Sequence, residues 1–192
     1  MKKSRNGIVM LGLILLAGMM VSANTAPAEN EQPTMFPWSN SFFGSTEIKA
    51  PVEKVFAYLS DPRHMTIYYP GINGIDNVQG RGLGLTYHWS MEDGGQKFTG
   101  RDVYVDFIPN RKIVDAAGMD GGGYAATFTL IFHPLPKNRV KLTIVIQDSH
   151  ALPAGAEKDH YAMDQQLINT LLKNIKTEME KKPASAKPEK EK

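Results

Sequence analysis

The chain has 192 residues, 42% hydrophobic and 22% charged, with a net charge of +2 and no cysteine. That is enough apolar material for one domain with extensions, and the missing cysteine excludes disulfides and lipoprotein attachment. The excess of positive charge sits in the two ends, so the body between them is mildly acidic and has no basic footprint for nucleic acid.

Residues 1–23 read as a secretory signal peptide. Lys2, Lys3 and Arg5 precede an apolar run from Ile8 to Val21, and Val21-Ser22-Ala23 is a small-residue cleavage site. The alternative is a single membrane anchor, but the run is shorter than the roughly 20 residues a span needs. Cleavage removes three of 22 basic residues against 20 acidic ones, which takes the net charge from +2 to −1. The expected location is the bacterial periplasm or the exterior. Residues 24–40 hold three prolines and little periodicity and read as a linker. Met35, Phe36 and Trp38 within it either tuck against the domain or have no role.

The domain is expected over residues 41–181. Phe42–Ala50 reads as a strand, with Phe42, Thr46 and Ile48 on one face. Pro51 suits a first helical position, and Val52, Val55, Phe56 and Leu59 have helical spacing, so Pro51–Ser60 reads as a short helix. Arg63–Tyr69 reads as a second, stopped by Pro70-Gly71. A weak strand follows at Ile72–Gln79. Leu85, Tyr87, Trp89 and Met91 then alternate with polar residues, a half-buried strand that turns at Asp93-Gly94-Gly95. In Lys97–Ile108 the alternation groups Val103, Val105 and Phe107 on one face and Asp102, Tyr104 and Asp106 on the other. Lys112–Met119 is a further strand. Tyr124, Ala126, Phe128, Leu130 and Phe132 line one face of the next, and Val140, Leu142, Ile144 and Ile146 one face of the last.

Ala156–Lys182 contains no Gly or Pro, and Met163, Leu167, Leu171, Ile175 and Met179 follow at four-residue steps. Ile168 and Leu172 widen that row to the stripe of a core-facing helix. The order is strand, two short helices, about six hairpin-linked strands and one long helix. This is an α+β domain in which a curved antiparallel sheet of about seven strands grips a helix. Residues 182–192 form a Lys-rich tail with the composition of a disordered segment, able at most to touch an anionic membrane surface transiently.

The run IKAPVEKVFAYLSDPRHMTIYYPGI, Ile48–Ile72, resembles the opening of SRPBCC (START-like) proteins, in which a strand leads into an APxExVFxxLSDP helix. Gly82–Val114 is similar to their glycine-preceded strand, aromatic strand and Pro turn. The resemblance covers Phe42–Lys181. It implies the helix-grip fold, with a cavity between sheet and long helix. The superfamily spans polyketide cyclases, lipid-transfer domains, coenzyme-Q-binding proteins, hydroxylase subunits and stress-protein activators, so it leaves the chemistry open.

The expected cavity liners are Tyr87, Trp89, Phe107, Phe128, Leu130 and Ile144 from strands, and Met163, Leu167, Leu171 and Ile175 from the helix. The same residues could instead interdigitate as a dry core. Arg101 shares the face of Val103, Val105 and Phe107. Turned inward, its guanidinium needs an anion, either a ligand or Asp115 or Asp148; a bulge at Gly100 would turn it outward. Tyr68 and Tyr69 could reach a pocket lid. His64, His88, His133, His150 and His160 have no metal-ligand spacing, and no nucleotide or nucleophile motif occurs, so neither a metal nor a cofactor is expected. Three readings remain open: an exported carrier of a hydrophobic or lipid-like small molecule, a cyclase or dehydratase using pocket polar groups such as Arg101, or a ligand-free interaction module.

Overall fold

Ser41–Ile48 forms the first strand, β1. Pro51, with φ of −58°, caps helix α1, Val52–Leu59, one residue outside the position its ring suggested. The Asp61 side chain accepts the Arg63 N–H at 3.1 Å and starts a 3-10 turn, Pro62–His64, which runs into the four-residue helix α2, Met65–Tyr68. Six strands follow: β2 Ile72–Gln79, β3 Thr86–Asp93, β4 Gln96–Ile108, β5 Lys112–Met119, β6 Ala125–Leu135 and β7 Arg139–Asp148. Helix α3, Glu157–Met179, ends the fold. The computed structural model describes residues 41–122, 125–148 and 157–181. The readings of signal peptide, linker and tail, and those of Tyr124 and His150, lie outside these residues.

Every strand pairs antiparallel, in the order β1-β7-β6-β5-β4-β3-β2. This is the expected seven-stranded helix-grip sheet. β1 and β2 lie at opposite edges, so α1 and α2 cross its end. There Phe56 meets Phe107 and Phe132 edge-on, both at 5.2 Å between ring centres.

Strand β4 corrects one expectation. A two-residue turn at Gly94-Gly95 pairs Asp93 with Gln96, and hence Trp89 with Gly100, His88 with Arg101 and Tyr87 with Asp102. Partners across a ladder share a face. Tyr87 and Trp89 are buried, so Gly100, Asp102 and Tyr104 face inward with them, and Arg101 is exposed on the outer face. The expected inward guanidinium is therefore not there. The register with β5 shifts between Tyr104 and Asp106, a bulge that leaves Val105 outside, 49% exposed, and returns Phe107 to the interior. Unbroken alternation had merged two segments of opposite parity.

Helix α3 buries Ile168, Leu171, Leu172, Ile175 and Met179. It lies so close to β1 that a Cβ on Gly44 would stand 2.6 Å from Ile168 Cγ2 and 3.0 Å from Leu172 Cδ1. Its C-terminal half is tied down. Lys176 Nζ donates to the Glu47 carbonyl at 2.6 Å, the Lys49 N–H to Glu180 at 2.8 Å, and Asn174 to the Tyr68 carbonyl at 3.0 Å.

Candidate functional site

Between the concave sheet face and α3 lies a cavity of about 90 Å³. Its wall is mostly apolar, and it is not filled as a dry core would be. Trp89, Phe128, Leu130, Ile144 and Leu171 reach it as expected, with Ile175 beside them. Tyr68 at the end of α2 and Tyr69 just after it line it as well. Four expected liners sit elsewhere. Tyr87 is fully buried behind the wall. Phe107 packs under α1 against Phe56 and stacks on Tyr104. Leu167 packs against the core and Met163 is half-buried, but neither borders the cavity, because α3 meets β1 along that stretch.

The polar part of the wall is a pair of carboxyls that the inward side of β4 and β5 supplies, Asp102 and Asp115. Both are buried, at 3% and 9% exposure. Tyr87 stands between them, its hydroxyl 2.9 Å from Asp102 Oδ2 and also against Asp115 Oδ2. The Trp89 indole N–H donates to Asp102 Oδ1 at 2.7 Å, and the Gly118 backbone N–H also serves Asp102. Gly100 makes this possible: a Cβ there would overlap the Trp89 ring and the Gly118 carbonyl. Asp115 Oδ1 has no hydrogen-bond partner.

Burial dominates the electrostatics. It pushes the Asp102 carboxyl up to about 6, while the bonds from Trp89, Tyr87 and Gly118 pull against it. Burial also raises Asp115 well above the usual carboxylate range, helped by the charge of Asp102 and opposed by the Tyr87 bond. Two such groups a hydroxyl apart do not both ionise near neutral pH. The pair therefore holds at least one proton inside an apolar chamber, the arrangement an acid needs to donate a hydrogen bond or a proton. Burial and the neighbouring carboxylates likewise keep the hydroxyls of Tyr87, Tyr68 and Tyr104 protonated. Among the described residues no group of three or more His, Asp or Glu gathers to hold a metal ion.

The family model for activator of Hsp90 ATPase homolog 1-like proteins matches residues 49–180. The chain belongs to that family. Solved structures share its fold. A START superfamily protein from Mycobacterium smegmatis is 15% identical, over 73% of this chain and 97% of that one, at a TM-score of 0.60. A protein from Chromobacterium violaceum is 21% identical, over 74% of this chain and 99% of that one, at 0.55. The Zhui aromatase/cyclase of a Streptomyces species is 14% identical, over 73% and 93%, at 0.55. Identities this low show shared fold alone. A search of the curated proteins finds no match.

Asp102 is the residue that sequence reading missed, and Asp115 entered it only as a partner for Arg101. The signal was present: the Gly94-Gly95 turn alone pairs Tyr87 with Asp102 and fixes which face Asp102 takes.

Proposed function

We propose that this protein binds a compact, largely apolar small molecule in the chamber between its sheet and α3, and carries it in an exported compartment. The observation that carries the binding reading is the cavity itself, a gap between sheet and α3 where a dry core would be filled. A volume of about 90 Å³ suits a single ring or a short branched group better than an extended lipid chain. The N-terminal signal pattern supports export. Native mass spectrometry of protein taken from its own host should show an added mass that leaves on denaturation. Small apolar rings such as toluene should raise its melting temperature. A bare chain mass with no thermal response to any such probe would refute the reading.

A second reading has an observation of its own. The buried Asp102–Tyr87–Asp115 group is equipped for acid–base work on a bound substrate, and one similar fold is the Zhui aromatase/cyclase. In that case Asp115→Asn abolishes turnover while the fold survives. Turnover that persists in this variant removes the pair from the chemistry.

A further inference from the structure

The convex face of the sheet carries an apolar stripe in cross-strand register. Phe43 on β1 stands opposite Val145 on β7, Val145 opposite Thr129 on β6, and Thr129 opposite Val114 on β5. Val105, the bulge residue of β4, comes next. Partners across a ladder share a face. That face is the outer one, because the strand neighbours Phe42, Ile144, Ile113 and Tyr104 are buried inside. Ile131 and Ile108 widen the stripe on either side of Lys112. Phe43 is 70% exposed, the most of any large apolar side chain among the described residues. The solvent face of an antiparallel sheet is ordinarily polar, and single apolar residues on it are common, but a row across five strands forms a patch. Helices α1 and α3 pack on the opposite, concave face, α1 through Phe56 on Phe132 and α3 over Gly44.

The chain leading into β1 brings side chains that match this patch. Residues 33–38 read PTMFPW, and Trp38 precedes the first residue of β1, Ser41, by three positions. Pro37 favours an extended Phe36, and two positions apart in an extended stretch Phe36 and Trp38 share one side. Ser39-Asn40 has the chemistry of a turn, which reverses the chain at the sheet edge. At about 4.8 Å per strand the stripe from β1 to β4 is about 19 Å wide. The seven residues from Phe36 to Phe43 reach about 23 Å, so the segment has the length to lie across it. Tethering at the edge of the stripe also gives it an effective concentration that a separate partner lacks. We propose that residues 33–38 fold back over the convex face and seat Phe36 and Trp38 on the stripe of Phe43, Val145 and Val114. This contact is independent of what the cavity holds.

Tryptophan fluorescence tests it, because Trp38 and Trp89 are the two tryptophans of the chain. Subtracting the spectrum of Trp38→Phe from that of the parent, both isolated from the host, leaves the emission of Trp38. It should lie to the blue of free tryptophan and be shielded from acrylamide. Phe43→Ser combined with Val105→Ser removes apolar surface from the stripe at exposed positions, so the core stands. In that variant the Trp38 emission should move to the red and its quenching should rise towards that of free tryptophan. The Trp89 emission that remains in Trp38→Phe reports that the core is intact. Trp38 emission like that of free tryptophan in the parent would overturn the proposal. So would a blue-shifted Trp38 that ignores the two stripe substitutions, since the segment would then be seated elsewhere. A blue shift that fades on dilution, with a dimer-to-monomer change in sedimentation, would give the stripe to a second copy of the chain and overturn the proposal as well.

Discussion

Asp102 and Asp115 give the molecule an unusual dependence on pH. A carboxyl raised on folding holds its proton more tightly in the native state than in the unfolded chain. Its contribution is complete below the ordinary value of 3.8 and is lost as pH rises through about 6. Asp115, raised by burial and by the charge of Asp102, carries that loss to higher pH. Urea unfolding between about pH 4 and pH 7 should show this decline in the parent and a flatter profile in Asp102→Asn; equal slopes would mean the carboxyl is not raised. Gly100 is the second decisive residue. Ala there forces the Trp89 ring off its hydrogen bond to Asp102. We expect a loss of about 2 kcal/mol or more in chemical denaturation and a changed Trp89 emission. Neither role was visible from residue type. An aspartate amid alternating valines reads as the wet side of a strand, and a glycine reads as a weak point.

At the scale of elements, α3 does two jobs along its length. Its first half, with Met163 and Leu167 only part-buried, leans on β1 outside the cavity. Its second half carries Leu171 and Ile175 in the cavity wall and is held by the Lys176, Asn174 and Glu180 bonds. Leu171→Ala should cost about 2–5 kcal/mol in urea unfolding, the range for buried leucines. Met163→Ala should cost under about 1 kcal/mol, as expected of a part-buried side chain away from the anchor. Equal costs would mean that the helix is docked evenly. The four-residue steps made this helix legible from sequence, including its buried stripe. What they could not show is which part of the stripe meets another surface and which part meets empty space.

For the whole molecule, the chamber links occupancy to stability, because a ligand that binds only the folded state stabilises it. At one hundred times its dissociation constant such a ligand should add about 2.7 kcal/mol and raise the melting temperature by about 8 °C. Toluene titrated against thermal unfolding checks this, and a melting point independent of concentration would sink it. The apolar periods of two and 3.6 residues, the Gly and Pro turns and the opening run Ile48–Ile72 were enough to determine the α+β class, the antiparallel order of elements and the helix-grip fold. Those are local properties: each is written within a few residues of where it acts. Only the tertiary structure decided that β4 changes parity at Val105, that Arg101 faces water, and that Asp102 and Asp115 meet at Tyr87. The reason is physical. A bulge shifts every later side chain to the opposite face, and two aspartates on neighbouring strands become a proton-sharing pair only once the ladder register brings them together and burial removes their water.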